Sequence, residues 1–102
     1  MKASYGKAIP RPWRRNARMF TALGDPHRQR ILLMFEPGEK LTISDIVDAS
    51  TLSRSAVAHH LRVLREAGAL RAQKVGKEMW YRTDPQAVRQ ALRDVLDYLA
   101  GM

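Results

Sequence analysis

The stretch TISDIVDASTLSRSAVAHHLRVLREAG, residues 42–68, decides the fold of this chain of 102 residues. Thr42, followed by Asp45 three residues later, has the form of a capping box and predicts the start of a short helix. Ser53 can cap a second helix, and Gly68, a preferred residue after a helix C-terminus, ends it. Two helices joined by a tight turn form a helix-turn-helix, so the stretch predicts that motif.

The second of these helices has one apolar face and one polar face. Val57, Leu61 and Leu64 recur at helical spacing and predict the buried face. The exposed face is left with polar, basic and small residues, namely Ser53, Arg54, Ser55, Ala58, His59, Arg62 and Arg65. An α-helix fits the major groove of DNA, and short side chains near its N-terminus let the backbone approach the base edges. We therefore expect this face to contact DNA.

Two short strands follow, over Leu70–Lys74 and Met79–Thr83, around a tip that contains Gly76. This hairpin is basic, with Lys74 and Lys77 close to its tip. A basic hairpin directly after a helix-turn-helix predicts a winged helix. We expect the two lysines to contact phosphates or the minor groove, which positions a protein on DNA without reading its sequence.

The rest of the chain predicts three further helices and one flexible segment. Residues 1–12 lack helical periodicity and are expected to form a flexible basic arm, which leaves residues 13–102 as the single folded domain. A first helix starts at Trp13, where apolar residues begin to recur at helical spacing. The Asp-Pro pairs at 25–26 and 84–85 predict the start of two more helices, because Asp caps the backbone and Pro suits the first helical position.

The predicted fold is therefore mainly α-helical with a small β-hairpin wing, a winged helix-turn-helix in the order α-α-α-α-β-β-α. The helix that starts at Asp25-Pro26 is expected to end at Pro37-Gly38, since neither residue favours its continuation. The last helix carries a long apolar stripe of Val88, Leu92, Val95, Leu96 and Leu99. That stripe is long for the terminal helix of so small a core, which favours pairing with a second copy of the chain.

The composition restricts the partners and the chemistry of the chain. Lys and Arg number 18 against 10 Asp and Glu, giving a net charge of +8, which favours a polyanion as partner, nucleic acid first and an anionic membrane second. The absence of cysteine excludes disulfides, thiolate metal sites and thiol redox sensing. No acid, base and nucleophile converge in the pattern, so we expect no enzyme and no catalytic residue. No apolar segment has the length of a membrane span, and the expected location is the cytoplasm.

The positive charge lies in two blocks. Residues 1–19 contain six basic residues and no acidic one, and residues 53–82 contain seven basic and two acidic residues. The second block covers the wing and the predicted helix that Ser53 caps, where a basic surface is needed to contact DNA.

Three segments carry a resemblance to a known family. FTALGDPHRQRIL at 20–32, LSRSAVAHHLRVLREAG at 52–68 and WYR at 80–82 resemble the arsenic-repressor (ArsR/SmtB) family. The resemblance implies a dimeric bacterial transcription regulator, usually a repressor that an inducer releases from operator DNA. It also implies a homodimer built from the first and last helices, for which the expected interface residues are Phe20, Val88, Leu92, Val95 and Leu99. Such a dimer places two recognition helices about one DNA turn apart on a near-palindromic site.

By the same resemblance, Arg54, Ser55, Ala58 and His59 fall where family members contact bases or adjacent phosphates. Family members often have Gln at the position of Arg54 and Ser at the position of Ala58, so their operator sequences do not transfer. Arg54 has the geometry to bond guanine O6 and N7, and a phosphate contact is the other role open to it.

The chain departs from the family at its metal sites. Thr42-Ile43-Ser44-Asp45 stands where metal-sensing members often have Cys-Val-Cys-Asp, and hydroxyls do not replace thiolates as ligands for soft ions. The last helix, where a second family site uses His and carboxylates, carries Asp94 and Asp97 but no His. We expect no metal site, no cofactor and an unidentified inducer. A metal-responsive regulator with non-cysteine ligands and a winged-helix protein-interaction module remain the alternatives.

Overall fold

The computed structural model describes residues 1–102 and confirms the mainly α-helical winged helix-turn-helix. The elements in chain order are a 3₁₀ turn at Ala3–Gly6, α1 at Trp13–Leu23, α2 at Pro26–Leu33, β1 at Leu41–Thr42, α3 at Ile43–Asp48, α4 at Arg54–Ala67, β2 at Leu70–Val75, β3 at Glu78–Thr83 and α5 at Pro85–Ala100.

The predicted helix starts are confirmed by side-chain caps. Asp25 Oδ1 accepts hydrogen bonds from the backbone N–H groups of His27 and Arg28, at 2.8 and 3.2 Å. Asp84 Oδ1 accepts from the N–H of Ala87 at 3.2 Å, and each Asp is followed by Pro at the first helical position. These contacts satisfy N–H groups that have no partner within the helix.

Three predicted boundaries are wrong, and one strand was not predicted. The helix α2 ends at Leu33, before Pro37-Gly38, since the N–H groups of Met34 and Phe35 bond to carbonyl oxygens three residues back, which tightens and closes the helix. The hairpin strands each extend one residue further, which leaves a two-residue tip at 76–77. The strand β1 adds a third member to the sheet, in the order β1-β3-β2 with all pairs antiparallel.

The core is centred on α4. Val57, Leu61 and Leu64 are fully buried, as their spacing predicted, and α4 packs against α1, α2, α3 and β2. Met19 of α1 and Ile46 of α3 complete the same apolar cluster. The helix α4 is therefore held from several sides by side chains of its buried face, which leaves the opposite face free.

The helix α5 contributes little to this core. Ala91 is its only buried residue. It is tied to α1 by Asn16, whose Nδ2 donates to Asp94 Oδ2 at 3.1 Å, and by an edge-to-face contact of Trp13 with Tyr98 whose ring centroids are 5.8 Å apart. Hydrogen bonds from Gln90 and Asn16 lower the pKa of Asp94. Ala87 and Val88, near the start of α5, are partly buried against the core, and the rest of the helix stands at the margin of the fold.

The molecule is correspondingly elongated. It measures 51 × 25 × 24 Å, and its radius of gyration is 15.9 Å against about 13 Å for an ordinary domain of this length. The N-terminal segment and the end of α5 border a groove of about 740 Å³ lined in part by Tyr5, Pro12 and Val95. The 3₁₀ turn in this segment was not predicted. None of the helices is long and apolar enough to span a membrane.

Candidate nucleic-acid interface

The capping box places α3 at the edge of the sheet. Thr42 Oγ1 accepts from the N–H of Asp45 at 3.2 Å, and Asp45 Oδ2 accepts from the N–H of Thr42 at 2.9 Å. Thr42 is also the last residue of β1, so the same residue ends the strand and starts the helix. Ile46 then anchors α3 in the core, where it is fully buried.

A short turn leads from α3 to α4, and Ser53 caps α4 as predicted. Ser53 Oγ accepts from the N–H of Ala56 at 3.2 Å and lies 3.2 Å from Ser55 Oγ. At the other end Gly68 has φ of +90°, the left-handed conformation that glycine adopts without strain. The two caps fix the length of α4 and hence which of its residues form each face.

The structure brings the predicted DNA-contacting residues of α4 together on one exposed face. The exposed side chains of this face are Ser53, Arg54, Ser55, Ala58, His59, Arg62 and Arg65. His60, the neighbour of His59, is half-buried on the side of α4 that faces α2. The N-terminal part of this face therefore carries the small side chains of Ser53, Ser55 and Ala58, and basic or imidazole side chains are distributed along its length.

Arg54 links this face to the wing. Its Nη2 donates to Ser44 Oγ at 3.3 Å, which directs the guanidinium from the start of α4 toward α3. Arg54 and Lys77 border the same cleft, of about 570 Å³, between α3, α4 and the tip of the hairpin. Glu78 also lines this cleft and reduces its positive charge. The first residue of α4 and the tip of the wing are thus parts of one surface.

The wing holds its lysines in solvent. Lys74 and Lys77 are both exposed, and Gly76 at the tip has φ of +62°, which favours glycine in this tight turn. At the base of the wing, Arg71 Nε donates to Asp84 Oδ2 at 2.9 Å, a contact that also lowers the pKa of Asp84. This bond joins β2 to the cap of α5 and was not predicted.

The basic side chains of the candidate interface form no ion pair within the chain. The ion pairs of the structure are Arg28–Asp25 at 3.9 Å and Arg71–Asp84 at 2.9 Å. Binding a phosphate at Arg54, Arg62, Lys74 or Lys77 therefore costs no ion pair, and such contacts release counter-ions from nucleic acid.

No group of three or more His, Cys, Asp or Glu side chains is placed to hold a metal ion. Asp94 is engaged by Asn16 and Gln90, and Thr42 and Asp45 are engaged in the capping box. Thr42, Asp45 and Asp94, three of the positions compared above with family metal sites, therefore carry hydrogen bonds that support the fold.

The residues expected at a dimer interface fall into two groups. Phe20 and Val88 are half-buried and pack against the core of their own chain, and Val95 is half-buried beside the groove at the end of α5. Leu92 and Leu99 are 46% and 53% exposed. The second group, with Leu96, forms an apolar strip that this single chain leaves in solvent.

Sequence reasoning missed two residues that shape the site. Ser44 holds Arg54, and its hydroxyl in the first turn of α3 gave no sign of that contact. Arg28 lies on the opposite side of α4, where it contacts His60. Both contacts join residues of different elements, and helical periodicity says nothing about such pairs.

A comparison with protein families finds a match of residues 25–71 to the bacterial regulatory protein, arsR family. Among curated proteins, the transcriptional repressor SmtB homolog of Synechocystis sp. is 35% identical over 83 residues, which are 81% of this chain and 62% of that protein. The chain thus spans somewhat less than two thirds of the length of this relative.

Solved structures show the same likeness. A structure described as a possible transcriptional regulator for arsenical resistance is 32% identical, with a TM-score of 0.68, and the match covers 79% of this chain and 82% of that one. An ArsR-like transcriptional regulator from Rhodococcus sp. RHA1 has a TM-score of 0.80 at 28% identity, covering 88% and 84% of the two chains.

Proposed function

The chain belongs to the ArsR/SmtB family of winged-helix regulators, and on that premise we propose that it is a sequence-specific DNA-binding transcriptional regulator. In this proposal the exposed face of α4 enters the major groove, and the wing lies along the backbone or minor groove. The regulator acts as a repressor that occludes a near-palindromic operator, and it lacks the cysteine metal site of metal-sensing members. Its relatives include proteins named as transcriptional repressors, which supports this choice.

One observation carries the proposal. Arg54 at the start of α4 and Lys77 at the tip of the wing border one exposed cleft, and neither takes part in an ion pair. This surface combines small side chains at the N-terminus of a helix with lysines on a neighbouring hairpin that form no ion pair. Such a surface suits a DNA duplex, because the helix reaches the edges of the DNA bases while the hairpin contacts the phosphates.

We further propose that the DNA-binding unit is a homodimer through α1 and α5. The support is the exposed apolar strip of Leu92, Leu96 and Leu99, which a single chain leaves in contact with water. Two copies related by a two-fold axis present two α4 helices to successive turns of the major groove, which requires a near-palindromic operator.

The experiment is a selection from random duplex DNA followed by titration of the enriched duplex at several salt concentrations. If Arg54, Arg62, Lys74 and Lys77 of both protomers each neutralise one phosphate, log K falls against log salt with a slope of about −7. The control duplex is a shuffled sequence of the same length. The proposal is contradicted if the selection enriches no sequence, or if the enriched and shuffled duplexes bind with equal affinity.

The two alternatives have less support. A protein-interaction module presents an exposed apolar patch on its recognition helix, whereas α4 presents Arg54, His59 and Arg62 there. A metal-responsive regulator with non-cysteine ligands needs a cluster of ligands, and equilibrium dialysis with Zn²⁺, Ni²⁺ and Co²⁺ tests that alternative directly.

A further inference from the structure

Arg28 lies where α1, α2 and α4 meet. Its side chain is only 12% exposed. Its Nε donates to the carbonyl oxygen of Ala22 at 2.7 Å, and its Nη2 donates to that of Thr21 at 3.1 Å. Both carbonyls belong to the last turn of α1, where helical carbonyls lack partners within the helix. Arg28 of α2 therefore closes the C-terminus of α1.

The third donor of the same guanidinium reaches the recognition helix. Arg28 Nη1 lies 3.3 Å from Nδ1 of His60, which follows His59 in the middle of α4. Arginine has donors and no acceptor, so Nδ1 of His60 is the acceptor and carries no proton. This contact therefore exists only with the neutral imidazole whose proton is on Nε2.

The groups around His60 are mostly basic. From α2 and its N-cap it faces Arg28, the ring of His27 at 5.8 Å and the cap residue Asp25, and from α4 it faces the ring of His59 at 5.6 Å. Oδ2 of Asp25 also lies 3.9 Å from Nη1 of Arg28, so the charge of this carboxylate acts on Arg28 as well as on His60. Arg30 Nη2 lies 3.0 Å from Nδ1 of His27, which brings a second guanidinium near the pair of rings.

Protonation of His60 opposes this arrangement in two ways. It removes the lone pair to which Arg28 donates, and it adds a positive charge beside a guanidinium. Burial lowers the pKa of His60 below its ordinary value; Asp25 acts in the opposite direction, and the charges of Arg28, His59 and His27 lower it further. The folded chain thus prefers the neutral imidazole that its geometry requires.

We infer that Arg28 is a positioning residue for the DNA-contacting surface: through His60 it holds α4 against α1 and α2, and a proton on His60 releases that hold and weakens DNA binding. The inference rests on the proposed function and adds a form of regulation to it, namely sensitivity of the recognition helix to acid. Arg28 touches no DNA in this account and acts only through the placement of α4.

The sign of the pH dependence follows from proton linkage. A histidine whose pKa is lower in the folded chain binds fewer protons there than in the unfolded chain, so the stabilising contact is present above about pH 6.5. Its contribution to the free energy of unfolding declines as the pH falls from the ordinary pKa to the lowered one, and the contact itself breaks in the folded chain as the pH falls through the lowered pKa. Acid therefore weakens the hold on α4 and does not strengthen it.

The decisive variant is His60→Asn. The side-chain oxygen of Asn stands at the position of Nδ1 and accepts from Arg28, but it does not titrate in this range. The operator duplex from the selection is titrated with the wild-type chain and the variant at about pH 7.5 and about pH 5.5. On acidification the wild-type chain is expected to lose affinity relative to the variant, and this loss is expected to grow as the pH falls through the lowered pKa of His60. Taking the ratio of the two chains removes the effect of His59, which both retain.

His27→Asn is the matched control, because it removes a neighbouring imidazole and leaves the bond between Arg28 and His60. We expect its affinity still to fall on acidification, with the fall displaced toward higher pH because the charge of His27 no longer lowers the pKa of His60. If His60→Asn and the wild-type chain have the same pH profile, or if His27→Asn alone abolishes it, the inference is overturned.

A second measurement does not depend on DNA. Ring ¹⁵N chemical shifts of His60 in the free protein are expected to show an unprotonated Nδ1 and a protonated Nε2 at neutral pH. A protonated Nδ1 at neutral pH overturns the inference even if the chain binds its operator. Failure of every variant to bind DNA at any pH overturns the proposed function instead, so the two failures are distinguishable.

Discussion

Two roles are open to Arg54, a hydrogen-bonded contact with a DNA base and a contact with a phosphate. It is the first residue of α4, it is exposed, and its Nη2 donates to Ser44 Oγ at 3.3 Å. That bond uses one of five guanidinium donors, so a pair remains to bond guanine O6 and N7 together. The contact with Ser44 also reduces the freedom of the side chain before DNA arrives, which lowers the entropy cost of a base contact.

We predict that Arg54→Ala relaxes specificity as well as weakening affinity. Loss of a bidentate contact to guanine costs about 1–3 kcal/mol on the operator and much less on random DNA. Competition titration of the enriched duplex against a shuffled duplex measures the ratio of the two affinities. An equal loss on both duplexes means that Arg54 contacts a phosphate.

Lys77→Ala is the control for this prediction. Lys77 lies at the wing tip, on the same cleft, and is expected to contact the backbone. Its loss is expected to weaken binding to the two duplexes by the same factor and to reduce the salt slope by about one for each protomer.

The element on which the interface depends is α4, and its end is fixed by Gly68. The φ of +90° at this glycine reverses the chain so that Ala69 and Leu70 are buried beneath the helix. A Cβ at position 68 has room, with Ala87 Cβ at 4.0 Å as its nearest neighbour. The constraint at this position is therefore the backbone conformation and not the space around it.

We predict that Gly68→Ala lowers the free energy of unfolding by about 1 kcal/mol, because a side chain in the left-handed region is strained. The midpoint of thermal unfolding is expected to fall by about 4–8 °C. Gly101→Ala is the matched control, since Gly101 ends α5 with an ordinary φ of −81° and a Cβ there meets Tyr98 O at 3.5 Å. A fall of equal size in both variants contradicts the explanation by backbone strain.

At the same scale, the sequence predicts helix starts better than contacts between elements. The caps at Asp25, Thr42, Ser53 and Asp84 were predictable because a cap and the N–H that it bonds are two or three residues apart. The strand β1 was not, since two residues show no alternation and it forms only by pairing with β3.

The same limit applies to the candidate interface. Periodicity alone separates the buried and exposed faces of α4, so its exposed residues could be predicted. The bond between Arg54 and Ser44 joins residues 10 apart, and that between Arg28 and His60 joins residues 32 apart. Such contacts depend on how the helices cross, which local sequence patterns do not contain.

At the scale of the whole molecule, the strip of exposed leucines on α5 is the main departure from a self-sufficient fold. Leu92, Leu96 and Leu99 are 46%, 66% and 53% exposed and follow one face of the helix. Burial of such a strip in a second copy gains about 25 cal/mol for each Å² of apolar surface.

We predict that Leu92→Glu converts the protein from dimer to monomer, because a charge in the proposed interface lacks a partner there. Light scattering after size-exclusion chromatography is expected to report the mass of one chain, 11.6 kDa, for the variant and twice that mass for the wild-type chain.

Leu33→Glu is the matched control for this change. Leu33 ends α2 and is 83% exposed, so it has the same chemistry on a different element. It is expected to leave the dimer intact. A monomeric wild-type chain, or a dimer that survives Leu92→Glu unchanged, contradicts pairing through α5.

The near-absence of buried side chains in α5 has a consequence for the abundance of the protein. Under the proposed pairing, this helix obtains most of its burial from another copy, so mass action links folding to the amount of chain present. Dilution then favours the unfolded form, which proteases remove. A low concentration of the regulator therefore shortens its lifetime. Repression then begins only above a threshold concentration of the chain.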